Sequence, residues 1–294
     1  MHVRIAAICG VLAGLALAGC QAMTMVANSP PVEAKHTTYS VPLEGATSAA
    51  VTISSLVSAV QIEPLATSSP LLLDADLGYI GNLTTTSEGA EARTVVIADQ
   101  LSSYSYNGLP LAFRIGLHRA PALRLSVSSG SGNGSLNLRD FNLRDLSIAA
   151  ASGSLTIQLP AAASPYPVNA QTASGNIGVT LADGAAVQSA SLSTASGDLQ
   201  LTAGSGASVE AALNTSSGDI TLTFAPGVTA SIRVGTSSGD LVIHAPGGLP
   251  VRLEVVTNAS GRVTVPARMS QVSGSGNTGV WQTAGYASDG PHLD

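Results

Sequence analysis

From Tyr39 onward, apolar and polar residues alternate in short runs. Examples are Ala50-Val51-Thr52-Ile53 and Thr94-Val95-Val96-Ile97, and turn residues such as Ser87-Glu88-Gly89 and Tyr106-Asn107-Gly108 separate such runs. A period of two between Gly, Ser and Asn turns is typical of β-strands. No window after the first nineteen residues has the spacing of an amphipathic helix. The pattern therefore predicts an all-β fold.

A Ser-Gly dipeptide, followed by a polar and then an aliphatic residue, recurs through the second half of the chain. The spacings between successive repeat glycines are 22, 22, 21, 21 and 22 residues, and a degenerate earlier copy lies at residues 132–136. A period this regular is the signature of a solenoid, in which each repeat buries its apolar face against its neighbours. The repeat glycines are Gly153, Gly175, Gly197, Gly218, Gly239 and Gly261.

Alternating strands flank each repeat glycine. In one repeat Ala190 and Leu192 precede the glycine, and Leu199 and Leu201 follow it; within each strand the apolar residues have one parity and so share one face. A second turn, such as Asp183-Gly184, closes the repeat. Two turns and two or three short strands fit one rung of a single-stranded β-helix of about 21–22 residues. The constant spacing favours this β-solenoid over a β-sandwich.

The first nineteen residues resemble a targeting segment. Arg4 supplies a positive charge, and an uncharged apolar stretch over residues 5–17 is shorter than a membrane span. It ends in Leu17-Ala18-Gly19-Cys20, which resembles the lipobox of bacterial lipoproteins. We therefore predict cleavage between Gly19 and Cys20, with lipid attached to the Cys20 thiol.

Five segments follow from these patterns. We predict a signal peptide at 1–19, a flexible tether at 20–38, an N-terminal β-module at 39–127, the repeat solenoid at 128–267 and a Gly-rich C-terminal segment at 268–294. The eighteen tether residues that follow Cys20, residues 21–38, would span roughly 20–25 Å as a coil.

Charge and cysteine content narrow the possible partners. Charged residues make up 10% of the chain, against about 25% in an average domain. Loss of Arg4 leaves eleven basic and eighteen acidic residues, a net charge of −7, and Lys35 is the only lysine. No basic stripe for phosphates is present, so nucleic acid is not an expected partner. Cys9 would leave with the signal peptide, so no internal disulfide is expected.

The residue after each repeat glycine forms a predicted column along the solenoid. Three neighbouring aspartates in it could bind Ca²⁺, which prefers carboxylate oxygens. However, Ser and Asn occupy other turns, Asp, Asn and Ser all bond turn amides, and the spacing differs from the calcium-binding nonapeptide repeat. We predict a structural column and no metal. Its members are Ser154, Asn176, Asp198, Asp219, Asp240 and Arg262.

Two short motifs match catalytic or cofactor patterns only formally. Residues 235–239 fit Gly-x-Ser-x-Gly, but the nucleophile elbow needs a strand followed by a helix, and the match arises from the repeat. Residues 274–279 fit Gly-x-Gly-x-x-Gly without a surrounding strand–helix unit. No histidine has a second His or Cys at metal-ligand spacing. The sequence therefore predicts no cofactor and no enzyme, although carboxylate pairs of the glycosidase type form in space and leave no sequence signature.

Most of the mature chain resembles a known family. Residues 41–160 are similar to the N-terminal toast-rack domain of bacterial envelope proteins, chiefly through residues 123–127, 130–132 and 136–143. The Ser-Gly-Asp repeats beyond are similar to the adhesin-type β-helix domains of the same group. The resemblance implies a β-helix without catalytic residues, and some relatives belong to cell-wall stress-response membrane proteins.

The functional expectation is a non-catalytic, lipid-anchored β-solenoid of the cell envelope that serves as an adhesin-like interaction or structural module. The lipid would hold it to a membrane, and its partner would be an envelope protein or polysaccharide. Gln21 favours the outer membrane in a host with two membranes. The alternatives are an envelope polysaccharide-binding or polysaccharide-processing β-helix and a component of a cell-wall stress response.

Overall fold

The computed structural model describes residues 33–100, 111–161, 164–246, 249–258, 260–284 and 286. Cys20, the predicted site of lipid attachment, and the predicted signal peptide lie outside these ranges. Within them the chain forms twenty-three β-strands and no helix, which confirms the all-β prediction. In this described part, no helix is long and apolar enough to cross a membrane.

The strands form two sheets that face each other. Sheet 1 contains eleven strands: β1 (Lys35–Pro42), β3 (Ala59–Pro64), β4 (Leu71–Tyr79), β7 (Ala112–Leu117), β9 (Gly134–Asn137), β11 (Leu155–Leu159), β13 (Ile177–Leu181), β15 (Leu199–Ala203), β17 (Ile220–Phe224), β19 (Leu241–His244) and β21 (Val263–Thr264). Sheet 2 contains twelve: β2 (Ser48–Ser55), β5 (Asn82–Glu88), β6 (Ala92–Gln100), β8 (Ala122–Ser129), β10 (Asn142–Ser152), β12 (Tyr166–Ser174), β14 (Ala186–Ser196), β16 (Ser208–Ser217), β18 (Thr229–Ser238), β20 (Val251–Asn258), β22 (Met269–Ser275) and β23 (Thr278–Thr283).

From β8 to β21 the chain winds as a regular solenoid. Successive strands alternate between the sheets, and from β10 onward each pairs in parallel with the strand one turn earlier. Leu155, for example, pairs with Ile177, which pairs with Leu199. The winding makes about six turns, so the predicted β-solenoid and its period are confirmed.

The N-terminal part departs from this simple winding. After β1, the pair β2–β3 forms the first turn in the chain, but in space it lies between β6–β7 on one side and β8–β9 on the other. After β3 the chain builds β4 to β7 beyond it and then returns to place β8 against β2. The first turn of the chain is therefore enclosed inside the stack.

Antiparallel strands cover most of the ends of the stack. At one end β4 and β1 extend sheet 1 beyond β7, and β5 pairs with β6 in sheet 2. At the other end the hairpin β22–β23 pairs with β20. Three of the four parallel edges are thereby covered, and only β21 of sheet 1 has no covering strand among the described residues. Covered edges help natural sheet proteins avoid edge-to-edge association.

Three segment boundaries can be placed on these strands. The boundary between residues 127 and 128 falls inside β8, and residues 35–38 of the proposed tether belong to β1. The boundary at 267–268 falls between β21 and β22.

The core is one continuous file of aliphatic side chains between the sheets. Inward residues of neighbouring turns stack on one another, as with Ile157, Val179 and Leu201 in sheet 1 and Leu192 and Leu213 in sheet 2. Fully burying an aliphatic side chain stabilises the fold by about 1.5–3 kcal/mol. No turn can be stable alone, because each covers only the faces of its neighbours.

The backbones of successive turns approach each other closely at the repeat glycines. A Cβ added at Gly175 would lie 2.2 Å from the carbonyl oxygen of Gly153, and one at Gly261 would lie 1.7 Å from that of Gly239. Gly175 also has a φ of +141°, a conformation that residues with a Cβ rarely adopt. Glycine is therefore required by steric contact between turns, in addition to backbone conformation.

We expect Gly175→Ala to lower the free energy of unfolding by at least about 2 kcal/mol, because the new Cβ strains the backbone and pushes two turns apart. Gly178→Ala is the matched control in the same turn. Its nearest atom would be 3.9 Å away, and alanine in a strand is no worse than glycine. Urea denaturation of both variants gives the comparison. Equal stabilities would contradict the steric account.

Candidate interaction surface

The column after the repeat glycines forms a continuous ladder of hydrogen bonds. In each turn the backbone N–H donates to the side-chain oxygen of the equivalent residue one turn earlier. Asp198 Oδ1 accepts from Asp219 N at 2.9 Å, and Asp219 Oδ1 accepts from Asp240 N at 2.8 Å. The ladder runs from Asn133 to Arg262, which joins through its backbone N–H.

These aspartates therefore each use one carboxylate oxygen to hold the next turn. The structure brings Asp198, Asp219 and Asp240 together in one exposed line, as stacking requires. Among the residues that the structure describes, no group of three His, Cys, Asp or Glu side chains has the geometry to hold a metal ion. Gly19 and Cys20 lie outside the described residues, so their predicted roles stay predictions.

A second polar column lies inside the turns, and the sequence analysis missed it. A buried polar side chain occupies the last inward position before most of the turns and bonds a turn backbone. Thr194 Oγ1 donates to Gly175 O at 3.2 Å, and Thr215 Oγ1 donates to Gly197 O at 3.1 Å. Its members are Ser55, Asp99, Ser129, Thr172, Thr194, Thr215, Thr236 and Asn258. All of them bond a turn backbone except Thr236, whose Oγ1 has no partner among the described residues. One feature of the sequence could have indicated this column: a threonine precedes four of the repeat glycines by three residues.

Asp99 is the one ionisable member of this inner column. Its side chain is 2% exposed, Oδ1 accepts a hydrogen bond from Leu56 N at 2.7 Å, and Oδ2 has no partner among the described residues. Burial raises the pKa of Asp99 to about 6, although the bond from Leu56 acts in the opposite direction. The charged form of Asp99 therefore opposes folding at neutral pH.

The other motifs have structural explanations. Residues 235–239 run from β18 into a turn that leads to β19, so no helix follows Ser237. Residues 274–279 form the β22–β23 hairpin, with Gly276-Asn277 as its loop. His118 bridges two loops: Nδ1 accepts from Ala120 N, and Nε2 lies 3.3 Å from Thr67 O. His244 is exposed at the end of β19.

The outer face of sheet 2 carries a regular set of uncharged residues over five strands. On β8, β10, β12, β14 and β16 the outward residues form two files that run along the solenoid. We call these ten residues the central strip. The first file is Ser126, Ser147, Asn169, Ser191 and Ala212, and the second is Ser128, Ala149, Gln171, Ser193 and Asn214. All are half-buried or exposed.

The polar groups of the central strip are largely free. Ser128 Oγ lies 3.4 Å from Ile53 O, but the side chains of Asn169, Ser191, Gln171, Ser193 and Asn214 make no hydrogen bond to another residue in the described ranges. This contrasts with the two turn columns, whose side chains are engaged in the fold. The strip therefore offers hydrogen-bond donors and acceptors to a partner.

Charged residues border the strip at both ends. Arg124, Arg144 and Asp145 lie on β8 and β10 beside the first file. At the other end Arg233 pairs with Glu254 at 3.2 Å, and both residues line a depression together with Ser191, Ala212 and the exposed Glu210 of β16. Tyr166, beneath the strip, is fully buried; its Oη donates to Pro160 O at 2.8 Å, and burial raises its pKa.

Comparison with known proteins places the chain in one family. The model of the family described as Toastrack DUF4097 matches residues 81–288, whereas no curated protein matches the sequence. Among solved structures, a candidate cell adhesion protein from Clostridium sporogenes is 14% identical, with a TM-score of 0.48 over 79% of this chain and 100% of that one. A candidate adhesin from Bacteroides fragilis is 14% identical, with a TM-score of 0.45 over 80% and 99%. A candidate lipid-binding protein from Parabacteroides distasonis is also 14% identical, with a TM-score of 0.40 over 81% and 99%.

We expect Asp219→Ala to lower the free energy of unfolding by about 0.5–1.5 kcal/mol, because Asp240 N loses its acceptor. Asp219→Asn keeps an acceptor oxygen and removes a charge that lies between two like charges, so it should be at least as stable as the wild type. Denaturation at low and high salt tests both variants. An alanine variant as stable as the asparagine variant would show that the ladder contributes nothing.

We expect the wild type to become less stable as the pH rises from about 4 to about 6, because the buried carboxyl of Asp99 then loses its proton. The folded state holds this proton more tightly than the unfolded state, whose carboxyl titrates near 3.8, so the free energy of unfolding decreases as pH rises through this window. Asp99→Asn should remove the decrease and be more stable at pH 7 by up to about 3 kcal/mol. Denaturation across this pH range measures the effect. The matched control, Asp145→Asn on the outer face, should keep the wild-type profile; a wild-type profile in Asp99→Asn would rule out the assignment.

Proposed function

The chain belongs to the Toastrack DUF4097 family, and on that premise we propose that it is a non-catalytic, lipid-anchored module of the cell envelope that holds a partner against its outer face, in the manner of an adhesin. The observation that carries the proposal is the central strip, a long surface with unpaired hydrogen-bonding groups. Family membership supports the fold, and the proposed function is inferred from the central strip.

The physical properties of the strip suit recognition. Ser and Ala side chains lose little rotamer entropy when a partner orders them. Because the strip carries no charge, contact with it avoids the large cost of removing ions from water. Each contact is weak, so useful affinity requires many of them, and the strip repeats similar contacts over five strands.

The chemically reactive side chains support the non-catalytic part of the proposal. Asp198, Asp219 and Asp240 hold the turns together, His118 bridges loops, and Asp99 bonds the backbone of a turn. Each of these groups has a structural task in the solenoid.

The proposed anchor rests on Cys20. The sequence Leu17-Ala18-Gly19-Cys20 supplies the lipobox, and β1 begins at Lys35, so fourteen residues separate the proposed lipid from the first strand. Two or more acyl chains give stable membrane attachment, whereas one is marginal.

For the anchor, we expect Cys20→Ser to abolish incorporation of an alkyne-tagged fatty acid and to release the protein from the membrane fraction or leave it as precursor. Cys9→Ser should be labelled like the wild type, because Cys9 precedes the cleavage site. Globomycin, which blocks the lipoprotein signal peptidase, should cause precursor to accumulate. Normal labelling of Cys20→Ser would contradict lipid attachment at this residue.

For the interaction, we expect beads coated with the purified mature chain to attach saturably to intact cells of its own host. Ser191→Arg/Ser193→Arg should reduce attachment at least tenfold, because two long charged side chains then project from the strip. Thr180→Arg/Thr202→Arg places the same change on the outer face of sheet 1 and is the control. No attachment by the wild type, or equal attachment by all three proteins, would refute the proposed function.

A further inference from the structure

The central strip has a repeat distance set by the backbone. Neighbouring members of one file, such as Asn169 and Ser191, sit on adjacent paired strands and so lie about 4.8 Å apart. The two files are two residues apart along each strand, which corresponds to about 6.7 Å. The pattern is a narrow lattice that runs along the solenoid axis.

A ligand that matches this lattice must itself be linear and repetitive. A folded protein partner presents an irregular surface and would satisfy only some of the equivalent positions. An extended β-linked sugar chain advances along its axis by nearly one strand spacing per sugar. Because successive sugars of such a chain are turned over, it could present hydroxyls of one edge to every second turn and hydroxyls of the other edge to the turns between.

The chemistry of the strip selects among such polymers. Hydroxyl and amide groups both donate and accept, as sugar hydroxyls do, and the side chains of Ser191, Gln171 and Asn214 are free to bond a ligand. The strip has no cation to balance a sulfate or uronate in the middle of a polymer. Arg124 and Arg144 at one end and Arg233 at the other lie outside it, and Arg233 is engaged by Glu254. The exposed carboxylate of Glu210, beside Ala212 on β16, would repel an anionic polymer. The match is with a neutral chain.

We propose that the central strip binds an extended, neutral, β-linked polysaccharide that lies along the solenoid axis. This rests on the proposed function and narrows it by naming the partner's chemistry. Because the strip carries no aromatic residue for stacking on sugar rings, affinity comes from hydrogen bonds repeated over successive turns. Binding should consequently strengthen with the length of the sugar chain.

The test uses the purified full-length protein in detergent with two insoluble neutral polymers, cellulose and chitin. We expect at least one of them to deplete the protein from solution. Soluble oligosaccharides of the same polymer should compete, and a hexasaccharide should compete at least tenfold better than a disaccharide. Ser191→Arg/Ser193→Arg should lose binding at least tenfold, while Thr180→Arg/Thr202→Arg should bind like the wild type. Thermal melting establishes that both variants are folded.

Three results would overturn the inference. They are no depletion by either polymer, equal binding by the strip variant and the wild type, and stronger binding to the polyanion polygalacturonate than to the neutral polymers. The proposed function can fail separately. If bead attachment to cells depends on the strip but the oligosaccharides do not compete with it, the partner is not a neutral glycan, although the strip is an interaction surface.

Discussion

The contact of backbone against backbone at the stacked turns is the constraint on which the structure depends. At the repeat glycines, the carbonyl of one turn occupies the place that a Cβ of the next would need. This contact fixes the register between turns. Once it is set, every inward residue meets an equivalent inward residue and every outward residue meets an outward one. Core, turn columns and outer strip are three consequences of one stacking distance.

The repeated part of the fold could be read from the sequence because its contacts are between residues about 21 positions apart, and each position repeats the same chemistry. Glycine spacing gives the period, and strand parity gives the buried face. The enclosed position of β2–β3 could not be read in this way. Its pairing with β8 joins residues about 74 positions apart, and no repeated signal marks Ser48 or Ala122 as neighbours. The covering strand β4 is hidden for the same reason, because it pairs with the distant β7, whereas β5 pairs with the next strand, β6, through a short turn.

The candidate surface was only partly accessible to sequence reasoning. The turn column of Asp198, Asp219 and Asp240 follows from the repeat, but the sequence alone does not show that each carboxylate bonds the next turn. Thr194 and Thr215 have the parity of core residues, so their hydroxyls are recognised as turn ligands only when the turn is seen to fold back over them. The strip is polar, small and uncharged, and such residues signal nothing in a sequence. The strip is recognised only when the structure shows that these outward residues line up from one turn to the next.

The enclosed turn has a mechanical consequence for a chain that is pulled from its N-terminal side. Such a load first reaches β1, an edge strand with a single partner, β4, which can be peeled away one residue at a time. The next strand, β2, is held on both sides by in-register ladders to β6 and β8. It can leave only if both ladders break together. A pulling force that detaches β1 would therefore leave β2 in place, and the repeats beyond β2 would keep their pairing.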